Sequence, residues 1–423
     1  MTHFHFHENE LYCEETPVAE IAAEFGTPLY LYSRRQLVDN FRSIDGAFAG
    51  VDHTTCYALK ANSNHELLRI LAAEGAGADA VSAGEIHLAL KAGFSPSKIT
   101  FAGVGKQDAE IEYALRHDIF AFNVESTEEL AVIDAIAGRM GKKARIALRV
   151  NPDIDASTHP YISTGLKTNK FGIDISVAAD VFRYAHSLPH LHVEGIHTHI
   201  GSQILKLDPF EQTARKVVDL VSGLRAAGID IRHIDFGGGY GVTYKNAIRH
   251  PLLPMEDATA ADEAPMNGEF IAAVLPILKT AGCSIVIEPG RSIIANTGIL
   301  VTKVLFRKDN GVKKFVIVDA GMNDLIRPSL YQAYHQIVPL TLKQGDPERV
   351  DVVGPVCETG DFFARERAIP SVQRGDMLAI LTAGAYGFSF TSHYNARPAL
   401  AEVLVNGDKV RVIRERERIE DLM

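Results

Sequence analysis

TTCYALKANSNHELLRILAAEGAGADAVS, residues 54–82, contains a complete strand, helix and second strand in one short span. TTCYA is apolar and β-branched, HELLRILAAEG places Leu67, Leu68 and Leu71 at helical spacing, and ADAVS opens another short apolar run. Two strands joined through a helix pair in parallel, because the crossover returns the chain to the same end of the sheet. The same rhythm continues to about residue 290, with candidate strands TTCYA, ADAVS, KITFAG, IFAFNV, ARIALRV, VEGIH, IRHIDF and SIVIE beginning at Thr54, Ala78, Lys98, Ile119, Ala144, Val193, Ile231 and Ser284. Eight such units predict a closed (β/α)8 TIM barrel in an α/β protein.

After SIVIE the texture changes. GILVTKVLFRK, KKFVIVDAG, RVDVVGP, DMLAILTAGAYG and AEVLVNGDKVRVI read as strands of a second, mostly antiparallel β-domain. The expected division is a barrel over residues 30–288 and a β-domain built from 1–29 and 289–423. Near the N-terminus, GTPLYLYS fits either pairing with the β-domain or leading into the barrel. Residues 243–266, rich in proline and acid, break the rhythm and are expected to form a long loop above the barrel. The opening HFHFH reads as an edge strand rather than a metal site.

With 423 residues the chain is long enough for two cores, and 23% charged against 46% hydrophobic residues describes a soluble globular protein. A net charge of −10 argues against nucleic acid or an anionic membrane as the main partner, since both select basic surfaces. No apolar run approaches the roughly 20 residues of a membrane span, and MTHFHFHENE lacks a signal core, so a cytoplasmic location is expected. Cys13, Cys56, Cys283 and Cys357 have neither metal-like nor disulfide-framework spacing; reduced thiols and no metal are expected.

In barrels of this kind the working side chains follow the strands, on the C-terminal face. Lys60 follows the first strand, SAGE the second, RVNP the fifth, HTHIGSQ the sixth, DFGGGYG the seventh and EPGRS the eighth. Strand alternation puts Lys60 on a face with the small residues Cys56 and Ala58, where a desolvated amine becomes a nucleophile. The glycines from Gly237 to Gly239 let backbone N–H groups approach an anion, and Ser202 adds a hydroxyl. Glu288 ends the eighth strand at Pro289 and Gly290, with Arg291 beside it as the alternative ion-pair partner; Asp79 and Glu85 are alternatively helix caps neutralised by Arg149. An amine, an anion cradle, a carboxylate and a flat ring at His199 together suit pyridoxal phosphate.

YALKANSN, HTHIGSQ, DFGGGYG, EPGRS and GPVCETGD, in this order, resemble the diaminopimelate decarboxylase family, pyridoxal-phosphate enzymes with an alanine-racemase-like barrel and a β-domain. The resemblance implies decarboxylation of meso-2,6-diaminopimelate to L-lysine, the last step of lysine biosynthesis, through a Schiff base on Lys60. It further implies that His199 stacks on the cofactor ring, and that Asp79, Arg149, Ser202, Gly238, Gly239, Glu288, Pro289, Gly290, Arg291 and Tyr386 contact the cofactor. Cys357 is the implied acid at Cα, and Arg291, Arg327, Tyr331, Glu358 and Tyr386 the implied substrate contacts. A homodimer with composite active sites also follows from the resemblance. A relative acting on another diamino acid or on carboxynorspermidine, and a catalytically inactive homologue or cofactor carrier, stay open as alternatives.

Overall fold

The eight expected barrel strands are all present in the computed structural model, at His53–Ala58, Gly77–Ala80, Ile99–Phe101, Ala121–Val124, Ala144–Asn151, Leu191–His197, His233–Asp235 and Ser284–Ile287. The structure describes residues 3–155, 164, 169–255, 259 and 262–422. Each barrel strand pairs in parallel with the next, and the eighth pairs with the first to close the ring. The strand residues are almost all buried, as expected where helices cover a parallel sheet that also encloses its own core.

Local chemistry sets the helix starts. Asn64 caps the helix His65–Ala73 by accepting from Glu66 N. Ser82 accepts from Glu85 N at 3.2 Å, and Ser126 accepts from Glu129 N at 3.1 Å. Removing such a cap costs about 1 kcal/mol. The helix Ala83–Ala92 ends at Gly93, whose φ of 97° suits a residue without Cβ.

Contacts divide the chain into two units: 1–39, 242–263 and 293–423 form one, and 40–241 with 264–292 form the other, which contains the barrel. The first unit is built on the long strand Gly298–Asp309, which pairs antiparallel with Leu29–Ser33, Met377–Ile380 and Lys314–Val318. Pairings of Lys314–Val318 with Pro347–Val353, and of Leu29–Ser33 with Ala401–Asn406, are parallel; the other ladders of this unit are antiparallel. LYLYS therefore belongs to this sheet, which settles the N-terminal alternative. The buried Glu14 carboxylate ties the same region down, accepting from Ser33 Oγ at 2.6 Å and Arg35 N at 2.9 Å. HFHFH forms an edge strand, Phe4–His7, in a small three-stranded sheet.

The proline-rich segment after residue 242 is a loop, with no strand or α-helix among its described residues before Asn267. It packs with the first unit, where Ile248 and Leu253 join the core of Phe4, Leu11, Leu31 and Val403. Gln336 bonds both the N–H and the carbonyl of Ile248, so the backbone of that residue is satisfied without a strand partner. Part of its acidic stretch, 256–258 and 260–261, lies outside the described residues.

Candidate active site

Polar side chains recur at the C-terminal ends of the barrel strands: Asp79, Thr100, Asn123, Arg149, His197 and Asp235, with Glu288 just beyond the eighth. Pairing sets them level with one another, Asp79 opposite Thr100 and His197 opposite both Arg149 and Asp235. All seven are buried. Burying so many polar groups is tolerable only because they satisfy one another.

Lys60 does not continue the first strand. Pairing ends at Ala58, and Leu59–Ala61 forms a 3-10 turn, so the alternation expected there stops two residues short of the lysine. The turn carries the amine to Asp79, where Nζ donates to Oδ2 at 2.5 Å. Lys60 is 39% exposed while Asp79 is fully buried, and the other Asp79 oxygen has no hydrogen-bond partner among the described residues. Burial and the neighbouring Glu288 raise the Asp79 pKa, with Lys60 acting in the opposite direction. Glu85 caps as expected, accepting from Val81 N at 2.7 Å, and burial pushes its pKa up to about 7.

Arg149 pairs with neither Asp79 nor Glu85. Its Nη1 donates to Glu125 Oε1 at 3.0 Å, Glu125 Oε2 accepts from Gly172 N at 2.9 Å, and the guanidinium lies 4.7 Å from the Phe171 ring centre. Glu288 is likewise not Arg291's partner. His197 Nε2 donates to its Oε2 at 3.1 Å, while Asn123 Nδ2 and Thr100 Oγ1 reach Oε1 at 3.0 and 3.3 Å. Burial alone would raise the Glu288 pKa; His197, Lys60 and the Asp235 hydrogen bond outweigh it and hold the carboxyl below the usual range. Arg291 instead donates from Nη2 to Ser202 Oγ at 3.0 Å, which leaves the hydroxyl proton for another acceptor.

The glycine run is a packing device as well as a turn. A Cβ on Gly238 would lie 2.2 Å from the Glu288 carbonyl oxygen, and one on Gly239 2.2 Å from that of Gly201. Gly239 also has φ of 100°, which favours glycine. Gly237 N–H donates to Asp235 Oδ1 at 3.0 Å and Gly238 N–H to His199 Nδ1 at 3.1 Å, so both are used within the protein. Gly290 lies against Ala58 and Ala61, where an added Cβ would come within 3.1 Å of each, and Pro289 O accepts from Ala58 N at 3.2 Å. The EPGR turn thereby closes on the turn that holds Lys60.

The remaining expected residues belong to the sheet unit. Arg327 is buried; its Nε donates to His335 Nε2 at 3.2 Å, and its guanidinium lies 5.2 Å from the centre of the Tyr244 ring. His335 Nδ1 donates to Leu381 O at 2.9 Å, which leaves Nε2 as the acceptor. Asp324, nearby in sequence, accepts from Gly321 N and Asn323 Nδ2, both at 2.8 Å. Tyr331 ends the short helix Arg327–Tyr331, and Tyr386 is partly buried with φ of 55°. Cys357 and Glu358 are exposed on a loop whose Asp361 accepts from Val356 N and Met322 N, both at 2.6 Å.

Sequence reasoning passed over His197, Asn123, Thr100, Asp235 and Glu125. The available signal was a polar residue recurring near the end of successive apolar strands.

Taken together, the barrel unit presents an amine paired with a buried acid, an ionised carboxylate, a neutral imidazole, and an arginine and serine beside glycine turns. This donor set fits pyridoxal phosphate, and the class defined by such a barrel is the pyridoxal-dependent decarboxylases: the family described as "Pyridoxal-dependent decarboxylase, pyridoxal binding domain" matches residues 34–295. A diaminopimelate decarboxylase of Aquifex aeolicus is 48% identical over 415 residues, covering 98% of this chain and 95% of that protein. One from Vibrio cholerae is 48% identical over 424 residues, covering 100% of this chain and 98% of that protein. The crystal structure of diaminopimelate decarboxylase from Helicobacter pylori complexed with L-lysine has a TM-score of 0.89 at 46% identity, with 96% of this chain and 98% of that chain covered. This chain belongs to the diaminopimelate decarboxylase family and is a pyridoxal-phosphate-dependent carboxy-lyase. Among the described residues no helix is long and apolar enough to cross a membrane.

Proposed function

We propose that this enzyme decarboxylates meso-2,6-diaminopimelate to L-lysine and carbon dioxide, as the last step of lysine biosynthesis in the cytoplasm. The observation that carries the reading is the Lys60–Asp79 pair at the barrel mouth beside an ionised Glu288, in a chain whose full-length relatives bear that name. When bound, pyridoxal phosphate supplies a protonated pyridine ring that accepts the electron pair released as the Cα–carboxylate bond breaks.

The residues of the chain divide the remaining work. Lys60 holds the cofactor through its amine, and Asp79 keeps that amine oriented. Glu288 keeps a proton on the ring nitrogen; an arginine at that position would favour a neutral nitrogen and weaken the electron acceptor. His199 packs its neutral ring on the cofactor face, with Gly238 holding it in place. Ser202, Gly239 and the turn from Glu288 through Pro289 and Gly290 to Arg291 cradle the phosphate end, and Arg149 adds positive potential. The barrel unit, 40–241 with 264–292, thus supplies most of the cofactor contacts, while the sheet unit serves dimerisation and substrate contacts.

In the sheet unit, Arg327 and Tyr331 take the distal carboxylate of the substrate together with Arg291, Glu358 takes the distal ammonium, and Tyr386 contacts cofactor and substrate. Cys357 delivers its thiol proton to Cα after carbon dioxide leaves. The working form is a homodimer in which the Cys357 loop serves the site of the neighbouring subunit. Purified protein is expected to absorb in the visible, to change that band on adding diaminopimelate, and to release carbon dioxide from it but not from ornithine or arginine. Equal turnover of ornithine would overturn the substrate assignment.

A further inference from the structure

Asp235 ends the seventh barrel strand, is fully buried, and has no role in the function proposed above. Its Oδ1 accepts from Gly237 N at 3.0 Å and its Oδ2 from Asn123 Nδ2 at 3.1 Å. The same Asn123 nitrogen reaches Glu288 Oε1 at 3.0 Å, so one amide bridges two carboxyl groups. Oxygens of Asp235 and Glu288 and a nitrogen of His197 all lie within 4.8 Å of one another.

The surrounding donors are distributed unequally. Glu288 receives His197, Asn123 and Thr100. The donors to Asp235 are a backbone N–H and a shared amide, both neutral. The nearby basic groups are engaged elsewhere: Lys60 lies on Asp79, Arg149 on Glu125 and His197 on Glu288. Two carboxylates this close in a dry interior do not both ionise. The neutral acid belongs where only neutral donors point.

We propose that Asp235 is a positioning residue that remains a neutral carboxylic acid and donates its proton to Glu288. Asn123 and His197 complete the clamp, so that a single ionised carboxylate stands in one orientation. Burial and the proximity of Glu288 raise the pKa of Asp235 accordingly. The other titratable groups facing Asp235 are Tyr240, whose phenol is raised by burial and by Asp235, and Cys56, raised by burial and by the same acid. Both stay protonated and neutral, so neither adds charge beside Asp235. The function of the clamp rests on the reading that Glu288 faces the ring nitrogen of the cofactor; the shared proton itself does not.

Carboxyl-13C labelling of aspartate in the cofactor-free protein tests the proton directly. One signal is expected to stay in the protonated range from about pH 5 to about pH 9, far above an ordinary aspartate, and to vanish in Asp235→Asn. If that variant does not fold, Glu288→Gln identifies the signal instead, because loss of the neighbouring charge lets Asp235 titrate at lower pH. Absence of any such signal in the unmodified protein would overturn the proposal. The second arm uses pyridoxal phosphate labelled with 15N in its ring, bound to each protein. Asp235→Asn, which keeps a donor toward Glu288, should preserve the protonated-nitrogen signal, and Asn123→Leu should move it toward the unprotonated position. A persistent aspartate signal with a ring nitrogen indifferent to Asn123→Leu and to Glu288→Gln would leave the shared proton standing and sink the reading of Glu288.

Discussion

The backbone N–H of Gly238 donates to Nδ1 of His199 at 3.1 Å, and this single bond decides the tautomer of a buried imidazole. Because Nδ1 accepts, the ring proton resides on Nε2. Burial, with the positive charges of Arg149 and Lys60, holds the His199 pKa well below the usual histidine value, so the ring is neutral. The imidazole nitrogens of His199 should show no titration in 15N NMR between about pH 5 and about pH 9. A titration midpoint near 6.5, the ordinary value to within about one unit, would contradict this assignment.

Gly238 has a second role in the same contact. Its Cα faces the Glu288 carbonyl oxygen, and Gly238→Ala would drive a methyl to 2.2 Å from it. Overpacking of this kind costs about 1–3 kcal/mol. The variant should lose that much stability in urea denaturation and bind pyridoxal phosphate more weakly, because the displaced loop also carries the hydrogen bond to His199.

Lys60→Ala should abolish covalent capture of the cofactor. Borohydride reduction followed by peptide mapping should mark Lys60 in the unmodified protein and no lysine in the variant. Turnover should fall by at least about 100-fold, the lower range for removal of a catalytic group. Stability should change little at low pH, since Asp79 can then take up a proton in place of its lost ammonium partner.

Glu85 makes a pH prediction whose sign can be worked out. In the folded chain burial holds its proton up to about pH 7, whereas an unfolded glutamic acid releases it near about 4.3. Between these values the folded state binds more protons, so the contribution to stability is full at the acid end and lost as pH rises. Glu85→Gln should flatten this dependence and gain on the order of 1–3 kcal/mol over the parent at about pH 8 relative to about pH 5. Paired urea titrations at the two pH values check it; parallel curves would show that Glu85 is not the group concerned.

Two substitutions on the sheet unit test the substrate and assembly proposals. Arg327→Ala should raise KM for diaminopimelate by about 10- to 150-fold, the loss of a hydrogen bond to a charged group, and leave a substrate without a distal carboxylate unaffected. Mixing Lys60→Ala with Cys357→Ala protein should restore activity if each site draws on both subunits; no recovery would place each site within one chain.

How far these features were legible in advance follows from the range of the interactions. TTCYA, HELLRILAAEG and ADAVS each carry their own apolar period, and eight repeats of that unit leave the closed parallel barrel as the natural solution. The strand Phe362–Pro370 went unread because its middle holds Arg365, Glu366 and Arg367, with Glu366 at φ of 48° in an irregular ladder to Pro347–Val353. Lys60 was legible as the candidate amine, but its 3-10 turn was not.

Local pattern thus determined the barrel, the second domain's strand-rich texture, and the amine, carboxylate, imidazole and glycine turn brought to one mouth. Only the tertiary structure decided the partners: Arg149 with Glu125, Glu288 with His197 and Asn123, Arg327 with His335, and LYLYS with the strand Gly298–Asp309. The reason is physical. A strand's apolar period is written in neighbouring residues, whereas a buried charge takes its partner from whichever strand end closure of the ring sets beside it.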